Sequence, residues 1–151
     1  MIRRLVLSLL MIAALAAPAY GQTQFGVRAG VSADPDQFFF GGHFETEPLI
    51  ERLSFRPNVE IGIGDHLTLF AFNIEFVWSI PLDNHPWRVY LGGGPAANIY
   101  SRDNGPGDDS GVEGGFNLLA GLQHQRGLFT EIKVGALDSP SVKFTVGYAF
   151  R

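Results

Sequence analysis

Four histidines are the side chains of this sequence best suited to act as a base or to bind a metal: His43, His66, His85 and His124. None stands in an H-x-H or H-E-x-x-H spacing, which would bring two ligands to one metal ion. A nucleophilic serine needs a base within hydrogen-bond reach, but the residues two places after His66 and His124 are Thr68 and Arg126, so neither histidine is paired with a serine on the same strand face. The chain also has no cysteine. These observations predict no catalytic residue, no metal and no cofactor.

Acidic residues between positions 101 and 110 are a second candidate for chemistry. Carboxylate oxygens bind Ca²⁺, but the ordered D-x-D-x-D-G spacing of a calcium loop is missing. The composition instead favours a solvated surface loop. We expect this loop to expose Arg102, Asp103, Asp108 and Asp109, where an unidentified surface ligand would bind.

Ten further charged residues share one property, since each lies in a segment where apolar and polar residues alternate. They are Arg28, Glu45, Arg56, Glu60, Glu75, Arg88, Glu113, Glu131, Lys133 and Lys143, five of each sign. A strand turns successive side chains to opposite faces, so these charges fall on the face opposite the apolar one. If that face is enclosed, the charges must pair, because an isolated buried charge is very unfavourable. The pattern predicts a plug of ion pairs.

The elements that position these charges are eight predicted strands, separated by turn-rich clusters. We predict strands at residues 25–33, 37–45, 53–63, 67–78, 87–100, 111–123, 128–135 and 141–150. The fourth changes phase near Leu69, which predicts a β-bulge or a rim position. The fifth carries Gly92-Gly93-Gly94-Pro95, which predicts a bend or a weakened pairing.

The first 21 residues have the features of a signal peptide. Arg3 and Arg4 precede an apolar run at residues 5–17, and Ala19-Tyr20-Gly21 offers small residues for cleavage after Ala19 or Gly21. We therefore divide the chain into a signal peptide at 1–21 and one barrel domain at 22–151. Without Arg3 and Arg4 the domain has nine basic and 15 acidic residues, which disfavours nucleic acid as a partner.

The bulk of the apolar face predicts which side of the barrel meets lipid. That face carries many aromatic rings, among them Phe72, Trp78 and Phe144. So many rings would overfill an eight-stranded interior, whereas lipid accommodates them. Trp78, Trp87 and Tyr148 stand near strand ends, as expected for an interfacial girdle. The alternative is a soluble lipocalin-like barrel with the aromatic face turned inward.

The pattern resembles the small eight-stranded bacterial outer-membrane barrels of the OmpA/OmpX-like group and the generic outer membrane protein β-barrel domain. The resemblance rests on Phe25-Gly-Val-Arg-Ala-Gly30, Tyr90-Leu-Gly-Gly-Gly94, Gly114-Gly-Phe-Asn-Leu-Leu-Ala-Gly121 and Val146-Gly-Tyr-Ala-Phe150. It implies an all-β, up-and-down antiparallel transmembrane barrel in the outer membrane, with both termini in the periplasm. It also implies that Tyr148 and Phe150 form an insertion signal for the barrel-assembly machinery, although Arg151 follows Phe150 here.

Together, these features predict a non-enzymatic integral outer-membrane protein with a structural or surface-interaction role. Its expected partners are outer-membrane lipid, lipopolysaccharide and, during insertion, the assembly machinery. Three alternatives stay open from the sequence: a soluble secreted ligand-binding barrel, an outer-membrane lipid-modifying enzyme, and a small pore.

Overall fold

Eight strands pair in chain order and close into one antiparallel barrel in the computed structural model. The structure describes residues 23–65, 67–102, 109–137 and 139–150. The strands are β1 (Gln24–Ala33), β2 (Gln37–Glu45), β3 (Leu53–Gly64), β4 (Leu67–Pro81), β5 (Trp87–Arg102), β6 (Asp109–His124), β7 (Leu128–Leu137) and β8 (Val142–Phe150). The predicted fold class is confirmed. Within the described residues there is no helix long and apolar enough to cross a membrane.

Pairing between the first and last strands closes the barrel. β1 and β8 pair from Phe25 opposite Phe150 to Ala33 opposite Val142. Both chain termini therefore leave from the same end, which we name the termini end; it carries the turns at 46–52, 82–86 and 125–127. The opposite end, which we name the loop end, is where β1 leads to β2, β3 to β4, β5 to β6 and β7 to β8.

Several strands run further than their apolar alternation. β4 continues to Pro81, which is paired with Arg88, and β5 and β6 continue to the pair Arg102 and Asp109. Residues 101, 102, 109 and 110 of the loop predicted at 101–110 are therefore part of β5 and β6, and residues 103–108 lie outside the described residues. Backbone pairing does not need apolar side chains, so the sequence pattern ended before the ladder did.

The change of phase in β4 is not caused by a β-bulge. β3 and β4 pair without interruption from Leu53 opposite Trp78 to Gly64 opposite Leu67. The bulge alternative is therefore wrong. Leu69 is buried on the interior face, on the same side as Ala71, near the loop end of the strand. Because this apolar residue lies on the interior face near the rim, it looks like a change of phase in the alternation of apolar and polar residues.

The glycine- and proline-rich part of β5 does interrupt its pairing. β4 and β5 pair up to Asn73 opposite Ala96 and resume at Phe76 opposite Gly93. Pro95 falls in the skipped stretch and has no N–H group to donate. The predicted weakening of β5 is confirmed at this place.

The two faces of the barrel wall have opposite chemistry. Buried residues include 19 that are polar or charged and only nine that are hydrophobic, among the residues described. Bulky apolar side chains point outward and are exposed, including Phe25, Phe76, Trp78, Phe116 and Phe150. This distribution is the reverse of a soluble barrel's, so the aromatic face is the lipid-facing belt.

A charge in the middle of this belt should destabilise the folded barrel. Ile74 lies midway along β4 and on its outer face, so we expect Ile74→Arg to lower the free energy of unfolding in vesicles by about 2–4 kcal/mol. Leu82→Arg, at the end of the wall, is the matched control and should cost no more than about 1 kcal/mol. Urea titration followed by tryptophan fluorescence measures both. Equal losses for the two variants would contradict a lipid-facing belt.

Candidate functional site: the charged lumen

Glu60 and Glu131 are the centres of the charge cluster inside the barrel. Both carboxylates are buried, at 1% exposure each. Glu60 accepts from Arg28 Nη1 at 3.2 Å and from Lys143 Nζ at 2.5 Å. Glu131 accepts from Arg56 Nη2 at 2.6 Å, and the Tyr90 hydroxyl donates to the same oxygen at 2.9 Å. Each acid therefore joins strands that are distant in sequence.

Glu75 and Lys133 connect these two centres. Lys133 forms a close ion pair with Glu75 and lies 3.6 Å from Glu60 and 3.8 Å from Glu131. Arg56 Nη2 lies 3.4 Å from the second oxygen of Glu75. The ion pairs thus form one connected network, which is the arrangement that buried charges need.

This central network holds four cations and three carboxylates, and aromatic rings lie beside three of the cations. The Arg56 guanidinium carbon is 4.9 Å from the ring centre of Tyr90, and that of Arg28 is 5.6 Å from Phe129. Lys143 Nζ is 4.9 Å from the ring of Phe39. The face of an aromatic ring attracts a cation, so the rings partly offset the missing fourth carboxylate.

A second polar group closes the lumen toward the termini end. Arg88 donates to Ser79 Oγ at 3.1 Å, to Glu45 at 3.2 Å and to Gln123, whose amide in turn donates to Gln24 at 3.3 Å. The same group lines one side of a cavity of about 380 Å³ that opens at the termini end.

Three asparagines form a hydrogen-bonded chain across the lumen. Asn117 donates to Asn73 at 2.9 Å, and Asn73 donates to Asn58 at 2.8 Å. Asn117 faces Gly94 on the neighbouring strand. A Cβ atom on Gly94 would lie only 1.8 Å from the carbonyl oxygen of Ile74, so a glycine is needed where the backbones of β4 and β5 approach this closely.

The β7–β8 connection enters the lumen at the loop end. Ser139 and Pro140 are buried, and Asn98 donates to the Ser139 hydroxyl at 3.4 Å. A Cβ atom on Gly115 would lie only 2.0 Å from the Ser139 oxygen. Gly115 therefore makes room for this residue, which covers part of the lumen.

The structure brings together nine of the ten charged residues predicted for the lumen. Central ion pairs include Arg28, Arg56, Glu60, Glu75, Glu131, Lys133 and Lys143, and Glu45 pairs with Arg88 nearer the termini end. Glu113 is half-buried and takes part in none of the ion pairs found among the described residues.

The other predicted residues lie apart from the lumen. Tyr148 and Phe150 point outward on β8, are 41% and 52% exposed, and contact each other with ring centres 5.0 Å apart. Arg102 ends β5 and Asp109 begins β6, whereas Asp103 and Asp108 lie outside the described residues.

Sequence reasoning did not select the aromatic and amide residues of the lumen. Tyr90, Phe39 and Phe129 are buried inside, as are Asn58 and Asn73. The sequence feature that could have identified three of them is their even spacing from charged residues of the same strand. Tyr90 stands two places after Arg88, Asn58 lies midway between Arg56 and Glu60, and Asn73 stands two places before Glu75, so each shares a face with them.

As a chemical site, this arrangement pairs charges and fills space. The part of the chain that the structure describes contains no group of three or more histidine or acidic side chains arranged to hold a metal. The buried carboxylates are all engaged by cations, and the aromatic rings occupy the space beside them.

Removing one central carboxylate should leave three cations without their shared partner. We expect Glu60→Gln to lower the free energy of unfolding by about 3–5 kcal/mol, the cost of breaking a buried pair. Glu113→Gln is the matched control and should change little. Adding Lys143→Met to Glu60→Gln should recover part of the loss. Urea titrations in vesicles measure all three, and an unchanged midpoint for Glu60→Gln would contradict a tightly packed charged lumen.

Comparison with known proteins identifies the fold. No protein-family model matches this sequence, and no curated protein matches it. Among solved structures, the N-terminal β-barrel domain of Pseudomonas aeruginosa OprF is 15% identical with a TM-score of 0.63, covering 87% of this chain and 100% of that one. Neisserial surface protein A (NspA) is 14% identical with a TM-score of 0.67, covering 84% and 94% respectively. In fold, this chain is a closed eight-stranded antiparallel β-barrel similar to those of both proteins.

Proposed function

We propose that the protein is a non-enzymatic integral protein of the bacterial outer membrane with a structural or surface-interaction role. The observation that carries this proposal is the inverted distribution of side chains, with paired charges in the lumen and aromatic residues outside. Such a molecule is stable in lipid, because the closed ladder gives the backbone N–H and carbonyl groups of the strands hydrogen-bond partners and the belt contacts acyl chains.

The lumen acts, in this proposal, as a structural plug. Its ion pairs connect strands across the barrel, so that an open channel would need several of them to break at once. A soluble ligand-binding barrel would need the apolar face inside, and the bulky residues of this chain lie outside. The packed lumen therefore favours a structural role over either a pore or an internal ligand site.

Two of the three histidines in the described part, His43 and His124, support a non-enzymatic role. His43 is buried against the ring of Phe129, with centres 5.2 Å apart. The Nδ1 atom of His124 accepts the backbone N–H of Arg126 at 3.1 Å, and its ring packs on Trp87. Both rings are engaged in packing, which suits structural residues better than a general base facing a lipid substrate.

Lipid and lipopolysaccharide are the partners we propose for the outer belt, the latter in the leaflet at the loop end. The connection at 103–108 is the longest at that end, and we propose it as the place where a surface ligand binds. The exposed pair Tyr148 and Phe150 on β8 has the position that an insertion signal needs, on the outside of the closing strand.

A heat-modifiability gel on fractionated membranes tests the proposed function. We expect the mature protein in the outer-membrane fraction, in a detergent-resistant form whose migration changes on boiling, because the closed ladder survives detergent until heated. Lipid A composition should stay unchanged on overexpression. A soluble protein without a migration shift, or altered lipid A, would contradict the proposal.

Replacing the last aromatic residue tests the insertion signal. We expect Phe150→Ala to reduce the heat-modifiable form in cells several-fold, while refolding of the purified chain into vesicles changes little. Phe144→Ala, on the same strand and face, is the control and should insert normally. Equal yields in cells for both variants would argue against a signal at Phe150.

A further inference from the structure

The turn between β2 and β3 exposes two large apolar side chains beyond the end of the wall. Leu49 is 59% exposed and Ile50 is 67% exposed. Two adjacent aliphatic residues at the tip of a turn are unfavourable in water, since most of their surface stays hydrated. Their exposure therefore calls for a partner.

The polar residues of the same turn face the other way. Thr46, Glu47, Glu51 and Arg52 line the cavity at the termini end, and Pro48 lines it too. Leu49 and Ile50 are absent from that lining. The turn is thus two-sided, with charged groups toward the lumen opening and aliphatic groups away from it.

Backbone hydrogen bonds hold the turn in this orientation. Leu49 N–H donates to the carbonyl of Leu53 at 2.7 Å, and Leu53 N–H donates to that of Ile50 at 2.8 Å. Ser79 N–H donates to the carbonyl of Arg52 at 3.0 Å, which fastens the turn to β4. The direction of Leu49 and Ile50 is consequently fixed by the wall itself.

The aliphatic side of the turn continues the lipid-facing belt. Ile50 forms a β-bridge with Leu53, and Leu53 stands opposite Trp78 on β4. Trp78 points outward and is 38% exposed. Tryptophans at strand ends mark the level of lipid headgroups, so Ile50 lies next to that level.

We propose that Leu49 and Ile50 insert into the headgroup–acyl boundary of the leaflet at the termini end, anchoring the barrel at a fixed depth. The inference rests on the proposed function, because it needs a barrel embedded in lipid. A phospholipid surface is the occupant that fits, since the two side chains extend an existing lipid contact. A stable protein interface would require a far larger surface, roughly 1,200–2,000 Å² in total.

The anchor leaves the charged side of the turn in water. Glu51 and Arg52 are exposed beside the cavity, and Glu51 adopts the left-handed conformation at φ 48° that turns the chain back toward β3. Lipid on one side and water on the other is the environment in which a two-sided turn is most stable.

Site-directed spin labelling tests the anchor directly, because the chain has no native cysteine. Labels are placed through Leu49→Cys and Ile50→Cys, with Pro48→Cys as the cavity-facing control and Ile74→Cys as the belt control. Each variant is refolded into vesicles of phosphatidylethanolamine and phosphatidylglycerol. The measured quantity is the ratio of each label's collision rate with oxygen to its collision rate with a water-soluble nickel complex. We expect this ratio to be several-fold higher at positions 49 and 50 than at position 48.

The belt control separates the two ways in which this experiment can fail. A water-accessible label at position 74 would overturn the proposed function. A lipid-exposed label at 74, combined with labels at 49 and 50 that behave as the one at 48, would overturn the anchor alone.

A label-free check uses Leu49→Trp in a Trp78→Phe/Trp87→Phe background. Bromine-bearing acyl chains should quench its fluorescence, whereas the matched Pro48→Trp variant should stay unquenched; equal quenching would also reject the anchor.

Discussion

Closure of the hydrogen-bond ladder is the constraint on which the rest of this structure depends. Lipid offers no partner to a backbone N–H or carbonyl, so a sheet that crosses a membrane cannot keep a free edge. The pairing of β1 with β8 over nine residue pairs removes both edges. The β4–β5 ladder is interrupted near Pro95, between two well-paired regions of these strands.

Closing eight strands also makes a narrow interior, and this decides what the inward side chains must do. A charge at the centre of the lumen has to find its partner there, because it is shielded from both lipid and bulk water. The central network draws its members from β1, β3, β4, β7 and β8, and the group around Arg88 adds β2, β5 and β6. All eight strands are therefore cross-linked through side chains as well as through the backbone.

The sequence was sufficient to predict the barrel because alternation, strand number and the lumen charges agree with one another. The charge phase alone located Arg56, Glu60 and Glu131 on the interior face. It could not predict which acid pairs with which base, since cross-lumen partners such as Arg56 and Glu131 depend on the stagger of strands 75 residues apart. The rim position predicted at Leu69 is where the structure places this residue. The orientation of the turn at 46–52 could not be predicted, because apolar residues in a turn carry no period of their own.

The two ends of the lumen differ in how far they are covered, because the connections between strands differ in length. At the loop end the β7–β8 connection places Ser139 inside the wall, which glycine at position 115 permits. At the termini end the longer β2–β3 turn frames a cavity with its charged side. Polar residues at both ends of this turn line the opening, and Leu49 and Ile50 between them point away from it. The exposure of Leu49 and Ile50 is thus the same inside-to-outside division of polarity, continued beyond the last strand pair.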